Sequence, residues 1–109
     1  MIDYENDYYL IPKAFYTSPD YMGLPLKAKI TYAILRDEQR KAAEKGQFDE
    51  NGDVFLAFSN RELGVKLQMS KPTFVGIRDI LEEYGLLETE IMVSQVTGCL
   101  PTRIYVKEI

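Results

Sequence analysis

The sequence predicts an α+β fold, a winged helix-turn-helix with three main helices and a small antiparallel β-sheet and wing. Three features carry that expectation. Within residues 59–85, "SNRELGVKLQMSKPTFVGIRDILEEYG" opens two short helical patterns, each on a serine, around a tight turn. A long run of helix formers precedes this stretch, and two segments rich in β-formers follow it. The resulting order of strand, helix, strand, helix, helix, strand, strand is the winged-helix order.

Residues 1–24 read as an N-terminal arm lying on the domain. Within it "YYLIPKAFY" is expected to be short and extended, because Pro12 confines it to a sheet edge or a strand start. The arm's tyrosines, at 4, 8, 9, 16 and 21, suit stacking on single-stranded bases. Among Asp3, Glu5 and Asp7, the simpler role is packing the arm onto its own or a neighbouring subunit. Residues 25–46 form the scaffold helix: Pro25 suits a first turn and Gly46 a C-terminal stop. Two apolar stripes run along its first half, one through Leu26, Ile30, Ala33 and Ile34, the other through Ala28, Tyr32 and Leu35. Its second half, "RDEQRKAAEK", is charged all round and is expected to project into solvent.

In "DENGD", residues 49–53, Asn51-Gly52 is the pair that best tolerates positive φ, so a tight turn is expected. A calcium loop would need its glycine at the sixth position and a distant bidentate Glu, and neither falls in place. "VFLAFS" follows as a short apolar strand. Ser59 with Glu62 then forms a capping box, Leu63 and Leu67 a core stripe, and Gly64 a site for close approach of another helix. Ser70 caps the next helix, whose first turn holds Lys71 and Pro72, whose core stripe is Phe74, Ile77, Leu81 and Tyr84, and which Gly85 stops. Residues 86–109 make the wing: "LLETEIMVSQV" and "TRIYVKEI" flank "TGCLP", read as the reversal.

With 46% apolar and 28% charged residues in 109, the composition is that of one globular domain. The net charge of −4 and pI of about 4.8 count against nucleic-acid binding. Six of the 17 acids, however, lie in the arm (Asp3, Glu5, Asp7) and one loop (Asp49, Glu50, Asp53); set aside, they leave the 13 bases in excess. The absence of His and the presence of Cys99 alone remove a His-based metal site, a His general base, a zinc cluster and an internal disulfide. Cys99, with no evident base beside it, reads as an incidental thiol. Adjacent Glu82 and Glu83 point apart on a helix and read as a solvated face. No apolar run approaches a membrane span, and "MIDYEND" is acidic where a signal peptide is basic. A cytoplasmic protein without cofactor, metal or enzymatic activity is therefore expected.

At 100° per residue, the side of the second short helix opposite Phe74, Ile77 and Leu81 consists of Pro72, Val75, Gly76, Asp79 and Glu83, bare in the middle and acidic at the end. Positive charge lies at the flanks, in Arg61, Lys66, Lys71, Arg78 and, on the wing, Arg103. If the stretch reads duplex DNA, the candidate contacts are Ser70, Lys71 and Thr73 at the N-terminal turn in the major groove, Arg61, Lys66 and Arg78 on phosphates, and Arg103 from the wing. The acidic strip leaves open a winged helix that acts as a protein-interaction or dimerisation module, and the fold also suits a transcriptional regulator.

"YYLIPKAFYTSPDYMGLPLKAKITYAILRD", "DENGDVFLAFSNRELGVKLQMSKPTFVGIRDILEEYGLLE" and "PTRIYV" together resemble the N-terminal domain of the RepA-type plasmid replication initiators of Gram-positive bacteria. The resemblance spans nearly the whole chain. It implies a winged helix that binds repeated double-stranded DNA elements at a plasmid origin, often as a homodimer, while a C-terminal domain, expected to be absent from these residues, engages host replication proteins. The family's "SKPT" falls on Ser70, Lys71, Pro72 and Thr73, and its basic wing residue before "IYV" on Arg103. The chain departs from its relatives at Gly76 and Asp79, where they carry bases, and in the wing, which reads "CLPTRIYV" rather than "GKPNRIYV".

Overall fold

A computed structural model of the chain describes residues 3, 6–90, 93–94, 98–99 and 103–109, with side chains given outside 91–102. Tyr4 and Glu5 of the arm lie outside the described residues.

The expected extended segment turns helical at its C-terminal end, while residues 8–12 carry no helix. Ala14–Thr17 forms one helical turn, α1, and Pro19–Tyr21 a turn of 3₁₀ helix. Local polar groups close both turns: the Thr17 hydroxyl donates to Lys13 O at 3.0 Å, and Ser18 Oγ accepts from Asp20 N–H at 3.3 Å. The turn serves Phe15, whose buried ring meets Tyr32 edge-on at 5.2 Å and Tyr21 at 5.3 Å. An alternating strand would present neighbouring side chains to opposite faces, whereas one helical turn sends a single aromatic ring inward.

Helix α2 spans Leu26–Glu44. Of its two stripes, Ala28, Tyr32 and Leu35 are buried, while Leu26 and Ile30 of the other stay exposed. Tyr32 ties the helix to the chain's end, since its hydroxyl donates to Lys107 O at 2.6 Å. Burial raises the Tyr32 pKa, against the opposing bond and charge of Arg36. The second half of α2 does not project freely. Ala42 is buried, Asp37 and Glu38 expose only 13% and 19% of their side chains, and Gln39 clamps Val106. The Gln39 amide donates to Val106 O at 3.1 Å and accepts from Val106 N–H at 2.8 Å, as a neighbouring strand would.

That clamp is needed because β1 is short. The expected strand in "VFLAFS" is reduced to Leu56–Ala57, and β5 (Arg103–Val106) lies between it and β2 (Leu87–Glu90), all antiparallel. Leu56 pairs with Ile104, and Leu87 with Val106; past the end of β1, Gln39 satisfies the backbone of β5. A second antiparallel pair joins β3 (Val93–Ser94) to β4 (Gly98–Cys99), so Gly98 and Cys99 belong to a strand and not to the turn read in "TGCLP". Residues 95–97 lie outside the described residues, as do the side chains around Cys99.

Helix α4 (Lys71–Glu83) packs on α2 and on β2, and α3 (Asn60–Lys66) packs on α4; Leu63, Phe74, Ile77 and Leu81 are all buried in the core. Tyr84, at the end of that stripe, is half-buried and stacks on Tyr21 at 6.4 Å.

Candidate nucleic-acid interface

Each short helix starts on its serine, but the Glu62 carboxylate makes no return bond to Ser59 N–H among the described residues, so the expected capping box is half formed. Ser59 Oγ accepts from Glu62 N–H at 3.1 Å, and Ser70 Oγ accepts from Thr73 N–H at 3.3 Å. Each bond satisfies one of the N–H groups that a helix start leaves unpaired. Between them the chain turns through Gln68, the only non-glycine residue with positive φ among those described, at 56°. Gln68 N–H bonds Val65 O at 3.2 Å and Met69 N–H bonds Gly64 O at 2.9 Å, the paired bonds of a Schellman ending. Gly64 allows the close approach expected of it, first to the turn at Met69 and then to the start of α4 at Lys71 N. A Cβ there would lie 2.9 Å from the Met69 carbonyl oxygen.

Exposure along α4 follows the helical projection. Phe74, Ile77 and Leu81 are buried, while Pro72, Gly76, Asp79 and Glu83 are exposed and Val75 is half-buried. Ser70 and Thr73 are joined to each other, hydroxyl to hydroxyl, at 2.8 Å. Lys71 and Arg61 are exposed and have no ion-pair partner among the described residues. Ser70, Lys71 and Thr73, at the start of α4, border the exposed strip, while Arg61 lies in the first turn of α3.

The other three predicted contacts are engaged within the protein. Lys66 lies 3.9 Å from the Glu38 carboxylate and 4.9 Å from the centre of the Phe58 ring. Arg78 bridges the two short helices, donating to Asn60 Oδ1 at 3.2 Å and to Asp79 Oδ1 at 3.3 Å, while its buried Nε has no partner among the described residues. Arg103 sits at the root of the wing, donating to Glu50 Oε2 at 3.2 Å above the Phe55 ring at 4.6 Å. Glu50's bond raises the Arg103 pKa.

The acidic turn that holds Arg103 is itself rigidly built. Asp49 Oδ1 accepts from Asn51 N–H at 2.9 Å and Asp53 N–H at 2.8 Å, while Asp49 Oδ2 accepts from the Tyr105 hydroxyl at 2.9 Å. The Asp53 N–H above all, then the Tyr105 hydroxyl, holds the Asp49 carboxyl below its usual range, and Glu50 is lowered by its own N–H and by Arg103. Tyr105 is raised, by desolvation first and by Asp49 next. No short-range signal in the sequence marks Asn60, Asp49 and Glu50 as partners of Arg78, Tyr105 and Arg103. Glu82, expected on a solvated face, accepts instead from the Thr89 hydroxyl and ties α4 to β2.

On the other edge of α4 lies a shallow groove of about 240 Å³ between Lys27, Ile30 and Thr31 of α2 and Leu67, Gln68 and Thr73. A larger groove, of about 530 Å³, separates Tyr8, Leu10 and Ile11 of the arm from Arg36 and Arg40 of α2. The first adjoins the helix start that carries Lys71; the second lies between arm and scaffold helix.

Three solved structures share this architecture. A structure described as "N-Terminal domain of DNA binding protein" superposes with a TM-score of 0.82 at 32% identity, covering 96% of this chain and 77% of that one. "Structure of Rep-DNA complex" gives 0.79 at 32% identity, covering 96% and 78%, and "Structure of MDR initiator" 0.75 at 27%, covering 96% and 79%. A "41 kDa protein" of Lactobacillus helveticus is 26% identical over 81 residues, which are 74% of this chain and 23% of that protein. The chain thus spans about a quarter of that curated relative's length. Residues 7–109 match the family described as replication initiator protein A (RepA) N-terminus, and the chain belongs to that family.

Proposed function

We propose that this chain is the DNA-binding N-terminal domain of a plasmid replication initiator, which recognises repeated double-stranded elements at an origin. The observation that carries the reading is the start of α4: a capped, exposed N-terminal turn with Lys71 unpaired among the described residues, in a chain of the initiator family. The relative solved as a Rep-DNA complex supports it. Lys71 and Thr73 would enter the major groove and Arg61 would hold a phosphate. Lys66, Arg78 and Arg103 would reach DNA by exchanging the carboxylates they hold.

The test is fluorescence anisotropy against a duplex selected from a random-sequence pool by the wild-type chain. Lys71→Ala should raise Kd by about tenfold, and affinity should fall steeply with salt. An unchanged Kd for the variant and no salt dependence would sink the reading. The exposed Asp79 and Glu83 strip favours one rival, a winged helix that binds protein; failure of any duplex to bind saturably would favour it.

We extend the proposal to a homodimer, supported by the exposed Tyr8, Tyr9 and Leu10 of the arm; a monomeric mass by light scattering, with and without DNA, counts against it. A cytoplasmic, non-enzymatic role without cofactor belongs to the same reading. Among the described residues no helix is long and apolar enough to cross a membrane. Contacts with host replication proteins are assigned to the family's C-terminal domain, outside residues 1–109.

A further inference from the structure

We propose that Lys27, on the first turn of α2, is a DNA-backbone contact that extends the recognition surface beyond the helix-turn-helix. The inference rests on the DNA-binding reading above and concerns the edge of α4 that the helix-turn-helix leaves without a cation.

At 100° per residue, Lys71 and Thr73 stand about 160° apart around α4, on opposite edges of its exposed strip. The Lys71 edge also carries Arg78, whose bond to Asn60 brings the start of α3, and with it Arg61, to that side. The Thr73 edge carries Ile80 and no basic residue of α4. A helix about 10–12 Å across, seated in a major groove about 12 Å wide, meets a phosphate strand on each flank. One flank is thus supplied with cations, and the other must draw on a neighbouring element.

The neighbouring element is α2. Lys27, Ile30, Thr31 and Ile34 recur at helical spacing and line the groove whose opposite wall is Gln68 and Thr73. Lys27 is exposed and has no ion-pair partner among the described residues, unlike Lys41, Lys66 and Lys107, which hold carboxylates. Ile30, left 42% exposed beside it, offers an apolar track for the aliphatic stem while the ammonium reaches out to a phosphate.

The experiment titrates the duplex selected by the wild-type chain with four variants, Lys27→Ala, Lys27→Arg, Lys71→Ala and Lys45→Ala, at several salt concentrations. Lys45, at the opposite end of α2, is the control for charge alone. Lys27→Ala is expected to raise Kd about three- to tenfold and to make the log K against log salt slope shallower by about 0.9, one phosphate contact. Lys27→Arg keeps the wild-type slope, and Lys45→Ala changes neither quantity. A Lys27→Ala protein with wild-type Kd and slope overturns the inference, and so does an equal loss in Lys45→Ala. If Lys71→Ala weakens binding while Lys27→Ala does not, the DNA-binding reading stands and this inference falls. If no duplex is selected, both fall.

Discussion

Two glycines in the helix-turn-helix should respond in opposite directions to the same substitution. Gly64 lies in the last turn of α3, where an added Cβ would come within 2.9 Å of the Met69 carbonyl oxygen. That oxygen belongs to backbone, and Met69 N–H is already bonded to Gly64 O at 2.9 Å, so the turn cannot retreat without stretching its own closing bond. Overpacking of this kind costs about 1–3 kcal/mol, offset by roughly 0.5–1 kcal/mol from the better helix propensity of alanine. Gly64→Ala should therefore lose about 1–2 kcal/mol net and lower Tm by roughly 5–10 °C. Gly76, midway along α4, has nothing within 4 Å of an added Cβ. Gly76→Ala should gain about 0.5–1 kcal/mol and raise Tm by a few degrees. Thermal and urea unfolding followed by circular dichroism read both effects. A Gly64→Ala protein as stable as wild type would refute the argument that the backbone of this turn leaves no room for a side chain at position 64.

Three further outcomes follow from the long-range contacts. Gln39→Ala should leave the Val106 N–H and C=O without their partner and cost about 1–3 kcal/mol, with faster amide exchange at Val106 than in wild type; unchanged protection there would show the clamp to be dispensable. Glu50→Gln should release Arg103 and, on the DNA-binding reading, lower Kd about two- to fivefold, a gain that Arg103→Ala in the same background should erase; equal affinity with and without Glu50 would count against a wing contact. Asp49 has its pKa lowered by folding, so the unfolded chain takes up its proton first and the stabilisation is present above the ordinary carboxylate range, near pH 4, and is lost as pH falls through the lower folded value. Asp49→Asn should flatten the dependence of the urea midpoint on pH below about 4, and an unaltered dependence would exclude this carboxylate as a source of acid sensitivity.

What was legible in the sequence is what acts over three or four residues. Ser59, Ser70, Pro72 and Gly85 mark helix ends because each satisfies or omits a backbone bond of its own helix, or takes the positive φ of 74° that stops α4. The burial of Phe74, Ile77 and Leu81 follows from helical period alone. What escaped acts across the chain. Gln39 and Val106 are 67 residues apart, Tyr32 and Lys107 75, and Tyr105 and Asp49 56. Each pairing depends on where β5 comes to lie between β1 and β2, which no local pattern states. The same limit governed the candidate site: Lys71 and Arg61 could be judged from position, but the engagement of Lys66, Arg78 and Arg103 depended on partners brought in by α2, α3 and the 49–53 turn. At Gln68 the signal was missing altogether, since glutamine does not advertise a left-handed conformation.

An acidic chain and a DNA-binding role are compatible because of which charges are already partnered. Glu50, Asp79 and Glu88 hold Arg103, Arg78 and Lys107, while Asp37 and Glu38 hold Arg40, Lys41 and Lys66. The carboxylates of Glu50, Asp79 and Glu88 are largely exposed, and exposed pairs add little to stability, so a phosphate can displace these three at little cost. Arg61 on α3, Lys71 at the start of α4 and Lys27 on α2 need no such exchange, and each phosphate contact made adds about 0.9 to the salt slope. The acids on α4 then act by repulsion. Asp79 and Glu83 lie on the same strip as Pro72 and Gly76 but toward its C-terminal end, so a duplex laid along the whole helix would bring phosphates against them. A helix that enters the groove by its N-terminal turn avoids that contact and also presents the positive end of its dipole. On the proposed function, the acidic half of α4 thus selects the docking angle, holding the C-terminal end of the helix out of the groove while Ser70–Gly76 goes in.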